Sequence, residues 1–108
     1  MMVVWSPRAI RHLVSRREFI EKDSETNAAL VAGRILSAID LLQTHAHIGR
    51  PGRFPGTREL VITGTPYIVP HRVRRERLEL FAVFDGRRHL AAQTLNRTNP
   101  SEASLRST

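Results

Sequence analysis

Between Ala28 and Leu42 the apolar residues Ala28, Val31, Ala32, Ile35, Leu36, Ile39 and Leu42 recur at intervals of three and four. That spacing writes one apolar face along a helix. A helix of this kind cannot stand alone in a chain of 108 residues; it demands a second apolar layer to cover it. Gly33, inside the stripe, costs up to ~1 kcal/mol of helix propensity, which predicts a close approach there. A first helix precedes it. Ser6-Pro7 is a start signal, with Ser as N-cap and Pro at the first helical position, where its missing N–H is no loss. Ile10, Leu13, Val14 and Ile20 then fall near one face, Phe19 adds bulk beside Ile20, and Arg11, Arg16, Arg17, Glu18 and Glu21 lie mostly elsewhere. Lys22-Asp23-Ser24-Glu25 interrupts the pattern, with Asp23 or Ser24 placed to cap the second helix. So short a link predicts an antiparallel helical hairpin.

The second layer follows. His47, Gly49, Pro51, Gly52, Pro55 and Gly56 crowd into one stretch, too punctuated for a regular element. Three β-type runs come next, 57–62, 67–73 and 78–84, joined by Thr63-Gly64-Thr65-Pro66 and Arg74-Arg75-Glu76-Arg77. Short links make antiparallel hairpins. Pro70 removes one ladder donor from the second run, which predicts an edge strand or a bulge. Asp85-Gly86 reads as a terminating turn, and Val3–Trp5 as a short β-prone run. The expected architecture is α+β in the order β-α-α-β-β-β, a helical hairpin on a small antiparallel sheet. Its core is predicted to hold Trp5, Ile10, Leu13, Ile35, Ile39, Leu42, Val69, Leu80 and Ala82. One domain over residues 1–93 is expected, with residues 94–108 a polar tail.

Seventeen basic against ten acidic residues give a net charge of +7, and all but Lys22 of the basic residues are Arg. The excess lies in both halves of the chain, so the whole domain is basic. Such a field favours RNA, DNA or an acidic protein partner. Arg74, Arg75 and Arg77 at a hairpin tip, with Arg72 and Arg87 nearby in sequence, are the candidate contacts for nucleic acid or partner. No cysteine is present, which excludes disulfides and thiolate chemistry. No apolar run approaches the ~20 residues of a membrane span, and Met-Met-Val-Val-Trp-Ser-Pro lacks the parts of a secretory signal; a cytoplasmic protein is expected. His45 and His47 have no carboxylate or third His near in sequence, and His12 lies on the first helix, so no metal site and no cofactor are expected. His71 alternates with Tyr67, Val69 and Val73 and reads as a core histidine, with a general base as its alternative role. Phosphate-loop, dinucleotide and serine-hydrolase motifs are absent.

Four segments, in order, resemble the RelE/ParE superfamily of toxins. They are Val4-Trp5-Ser6-Pro7-Arg8-Ala9-Ile10-Arg11-His12-Leu13, the stretch from Ile48 to Val61, Gly64-Thr65-Pro66-Tyr67-Ile68-Val69 with His71-Arg72-Val73, and Val83-Phe84-Asp85-Gly86-Arg87-Arg88. The local sequence is most similar to the ParE-like and plasmid-stabilisation branch. The resemblance implies the same β-α-α-β-β-β fold. It implies the toxin half of a bacterial type II toxin–antitoxin module, neutralised in a hetero-oligomer by a small antitoxin. RelE-like members cut mRNA on the ribosome without a metal, whereas ParE-like members inhibit DNA gyrase. Matched to the RelE pattern, Arg58 and Arg88 fall at basic positions and His89 near the C-terminal acid or base, while Leu60 and Ile68 stand where further basic residues are expected. If the chain cuts RNA, the resemblance makes Arg58, Arg88 and His89 its catalytic residues, with Arg72 a further candidate for stabilising phosphate charge. The gaps at Leu60 and Ile68 favour gyrase inhibition; a ribosome-dependent endoribonuclease and a non-toxic nucleic-acid-binding or interaction module are the alternatives.

Overall fold

Each helix begins where a serine oxygen can take up an orphan N–H. Ser6 has extended backbone (φ −66°, ψ 156°) and its hydroxyl accepts the Ala9 N–H at 3.0 Å, with Pro7 opening α1 (Pro7–Glu21). Ser24, rather than Asp23, caps α2 (Glu25–Leu42), accepting the Asn27 N–H at 3.1 Å. Between them the N–H groups of Asp23 and Ser24 both donate to Ile20 O, at 3.0 and 2.9 Å, which closes the first helix and turns the chain back. In the computed structural model, which describes residues 1–87, these helices form a hairpin against one sheet. Arg88, His89 and the tail 94–108 lie outside the described residues.

The strands are β1 (Met2–Trp5), β2 (Arg50–Pro51), β3 (Arg58–Val61), β4 (Tyr67–Arg74), β5 (Arg77–Leu80) and β6 (Phe84–Asp85). The order across the sheet is β1-β5-β4-β3-β2, with β6 paired to the start of β4. The α+β fold expected from sequence is present. Every pairing is antiparallel except β1 with β5, which run parallel. The long connection that a parallel pair needs is supplied by all the chain between them, the two helices and then β2, β3 and β4. Even the Pro/Gly-rich stretch contributes a strand: Arg50 and Pro51 pair with Glu59 and Arg58.

Ile35, Ile39 and Leu42 of α2 and Ala9 of α1 are buried against Val69, Leu78 and Leu80, with Leu13, Ile20 and Trp5 packed around them. Each large side chain so buried contributes about 1.5–3 kcal/mol. Of the predicted core, Ile10 is misplaced: it is 50% exposed, as are Val14 (49%) and Leu36 (50%). The inward stripe of α1 is Ala9, His12, Leu13, Arg16 and Ile20, turned away from Ile10 because two polar side chains with partners at the sheet occupy it. Gly33 is exposed with open space around it, so no close approach explains it.

Pro70 does not mark an edge, since β4 lies between β3 and β5. It marks a bulge on the facing strand. His71 pairs with Leu80 and Ile68 with Phe84, so Val69 and Pro70 face three residues, Phe81, Ala82 and Val83. The Phe81 N–H donates to Pro70 O at 3.0 Å, but Pro70 has no N–H to return. The Phe81 carbonyl instead accepts the Ser6 hydroxyl at 3.0 Å. The expected single run 78–84 is therefore broken into β5 and β6 at the residue where the ladder lacks a donor.

Candidate functional site

Register assigns side chains to the two faces of the sheet, because directly opposed residues share a face. Arg58 opposes His71, Leu60 opposes Val69 and His71 opposes Leu80; this is the face under the helices. Glu59 opposes Pro70, Val61 opposes Ile68 and Arg72 opposes Glu79; this is the other, open face. Register thus assigns Arg58 and Arg72 to opposite faces, although both also border a small cavity of about 80 Å³ beside His71. The Arg58 guanidinium donates to Gly49 O at 3.2 Å, holding the Pro/Gly-rich loop.

The open face carries a groove of about 460 Å³ lined by Arg8, Arg53, Phe54, Thr57, Glu59, Pro70, Arg72, Phe81, Ala82 and Phe84. Arg8 reaches it from the first turn of α1, Arg53 and Phe54 from the loop before β3, and Phe81 from the bulge. Arg72 is fixed twice. Its Nε and Nη2 reach Glu79 Oε1 at 2.9 and 2.8 Å, and its guanidinium carbon stands 5.2 Å from the centre of the Phe81 ring, within cation–π range. Glu59, 9% exposed, is matched by Arg50, whose Nε and Nη2 both lie 3.3 Å from Oε1. The two acids of this face therefore meet cations.

At the far end of β4, Arg75 and Glu76 form a two-residue turn with φ of 52° and 61°. Both take the left-handed region that Asn-Gly usually fills in such turns. Arg74 and Arg77, directly opposed across it, are both exposed. Arg87 is held by Asp85, at 3.4 Å from Nε and 3.3 Å from Nη2; the hydrogen bonds and charge of Asp85 strengthen its hold on its proton. Of the residues picked from sequence, Arg72, Arg74 and Arg77 share the open face. Arg75 stands at its tip, Arg87 is at the opposite end of β4, and Arg58 is on the other face. Arg8, Arg53, Phe54 and Phe81 were not singled out. Their signal is weak in sequence: a helix start, a loop and a broken strand reveal a common groove only once the register is known.

Three polar side chains lie inward. His12 Nδ1 accepts the Val83 N–H at 3.1 Å. Burial first, then the charges of Arg16, Arg8 and Arg11, lowers its pKa from 6.5. Arg16 lies 6.0 Å from the Tyr67 ring centre, its Nε buried without a partner. His71, 1% exposed, is a core histidine as its alternation predicts; its Nδ1 meets Val69 O at 3.0 Å and its Nε2 has no partner. Among the described residues no three metal-ligating side chains come together, and no helix is long and apolar enough to cross a membrane.

Comparison with known proteins agrees with this architecture. A protein described as a candidate toxin, Y4kP of Sinorhizobium fredii (strain NBRC 101917 / NGR234), is 46% identical over 72 residues, 67% of this chain and 75% of that one. A chain of the chromosomal ParDE TA system from P. aeruginosa shares the fold with a TM-score of 0.71, covering 79% of this chain and 95% of its own at 22% identity. Residues 3–90 match the family described as ParE toxin of type II toxin-antitoxin system, parDE. The match runs from β1 through β6, and the chain belongs to the ParE family of toxins of type II toxin–antitoxin systems.

Proposed function

We propose that the chain arrests growth by binding and inhibiting DNA gyrase, and that a cognate antitoxin neutralises it in a hetero-oligomer. The observation that carries binding over cleavage is the register, which directs Arg58 and Arg72 to opposite faces of the sheet. Phosphoryl-transfer chemistry without a metal needs donors that converge on one phosphorane. Leu60, on the face of Arg58, and Ile68, on the open face, bring no cation to either side. Gyrase as the target rests on membership of the ParE family.

The antitoxin's place is supported by two features. The outer surface of the hairpin exposes Ile10, Val14, Leu30 and Leu41. The outer edge of β3 is covered by β2 only at Arg58 and Glu59, leaving Leu60 and Val61 uncovered along that edge. A segment that folds on binding can cover both, and the net charge of +7 favours an acidic one and speeds its arrival. The test is two assays on the purified full chain, gyrase supercoiling and ribosome-dependent mRNA cleavage. Inhibited supercoiling with intact mRNA is expected; mRNA cuts with normal supercoiling overturn the proposal. Co-expression with the adjacent small reading frame tests the partner. Growth should be restored and the two chains should co-purify.

A further inference from the structure

We infer that the open face of the sheet is a binding site for single-stranded nucleic acid, independent of the gyrase proposal. Cations and rings line one groove, with the Arg72 guanidinium over one face of the Phe81 ring. Arg8, Arg53 and Arg72 stand with Phe54 and Phe81 around the same 460 Å³ space. A strand with unpaired bases needs this combination, basic groups along its backbone and aromatic faces for its bases. Phe54 offers 48% of its surface to solvent, which leaves ring surface open for a base to stack on. Arg72 uses Nε and Nη2 on Glu79, which orients the guanidinium and leaves N–H donors of its five for a phosphate.

The charge balance points the same way. Glu79 and Glu59, the acids of this face, are matched by Arg72 and Arg50, so Arg8, Arg74 and Arg77 set its sign. Arg72 and Arg74 follow each other on this face at a spacing of about 7 Å, and Arg77 lies opposite Arg74. Like charges directly opposed weaken a hairpin, and left-handed backbone at Arg75 and Glu76 weakens it further. A bound polyanion would relieve the repulsion between Arg74 and Arg77. A duplex hides the faces of its bases, so rings that offer stacking surface favour single strands. A peptide has the uncovered β3 edge at Leu60 and Val61 for strand pairing, whereas stacking on the rings of the groove suits bases.

The test is fluorescence anisotropy of the full chain with labelled oligo-dT and oligo-U of about 15 nucleotides and a duplex of the same length. Both single strands should bind more tightly than the duplex; binding of only one still supports the site and identifies its sugar. With about four phosphates contacted, affinity should fall roughly 50-fold on a fourfold rise in salt. Phe54→Ala should weaken binding about 10-fold or more, and Arg72→Gln should lower the salt slope by about 0.7. Phe54 is half-exposed, so its variant should fold even where an Arg72 variant does not. Arg17→Gln, on the outer face of α1 and paired with Glu21, should bind as the wild type does. The inference is overturned by no oligonucleotide binding, by duplex preference, by a Phe54→Ala variant that binds as well as wild type, or by an acidic peptide that outcompetes the oligomers. Oligonucleotide binding without gyrase inhibition refutes only the gyrase proposal, and the reverse result refutes only this one.

Discussion

His12 and Ser6 show how single polar atoms hold the helical hairpin to the sheet. The bulge leaves the Val83 N–H without a strand partner, and His12 Nδ1 accepts it at 3.1 Å. Only the neutral ring with its proton on Nε2 can do so. Because burial and the nearby Arg charges lower the His12 pKa below 6.5, the unfolded chain binds the extra proton more readily than the folded one. Stability from this group is complete above pH 6.5 and is lost as the pH falls from there through the lowered pKa. Melting temperatures measured across this range should decline toward acid, and His12→Gln, which keeps an acceptor but no titration, should remove that part of the decline. Ser6→Ala should be costlier at every pH. It deletes the cap on the Ala9 N–H and the donor to Phe81 O, a combined loss of about 2–3 kcal/mol, read by urea denaturation. The serine was legible in sequence because Ser-Pro carries its own capping chemistry. His12 and Arg16 were not, because an inward polar side chain becomes reasonable only when its partner, here the bulge or Tyr67, is known.

The helices and the three main β runs followed from periodicity and punctuation, which are local. The pairing of β1 with β5 was not local: Met2 and Arg77 are far apart in sequence, and nothing in Val3–Trp5 states its neighbour or its direction. The strand at Arg50–Pro51 was hidden because β3 supplies the pairing that its own composition argues against. Pro70 announced a ladder defect, but only the register shows that the extra residue sits on the opposite strand. The β4–β5 turn is the element with the clearest unrelieved cost. Glu76 at φ 61° should be better served by glycine, which enters the left-handed region without penalty. Glu76→Gly should therefore raise stability by about 1 kcal/mol, or roughly 4–8 °C in melting temperature. A fall in melting temperature would show that the Glu76 side chain has a favourable role its geometry does not reveal.

At the scale of the whole molecule, one sheet separates two surfaces with different chemistry. One side is covered by a hairpin whose outer residues Ile10, Val14, Leu30 and Leu41 remain exposed. The other is an open face of arginines and phenylalanines. This division bears directly on mechanism. Arg58 lies on the helix side, where it braces Gly49, so its loss should loosen a loop without removing a reacting group. If the chain acts by binding, Arg58→Gln and His89→Ala should both still arrest growth when induced without antitoxin, and both should still be rescued by it. If it cuts RNA, Arg58 and His89 supply phosphate stabilisation and the proton; each variant should then abolish toxicity while antitoxin affinity stays nearly unchanged. Growth curves on induction, paired with antitoxin affinities, separate the two. Loss of arrest in both variants with antitoxin binding retained would overturn inhibition by binding, because toxicity would then depend on the groups that cleavage requires.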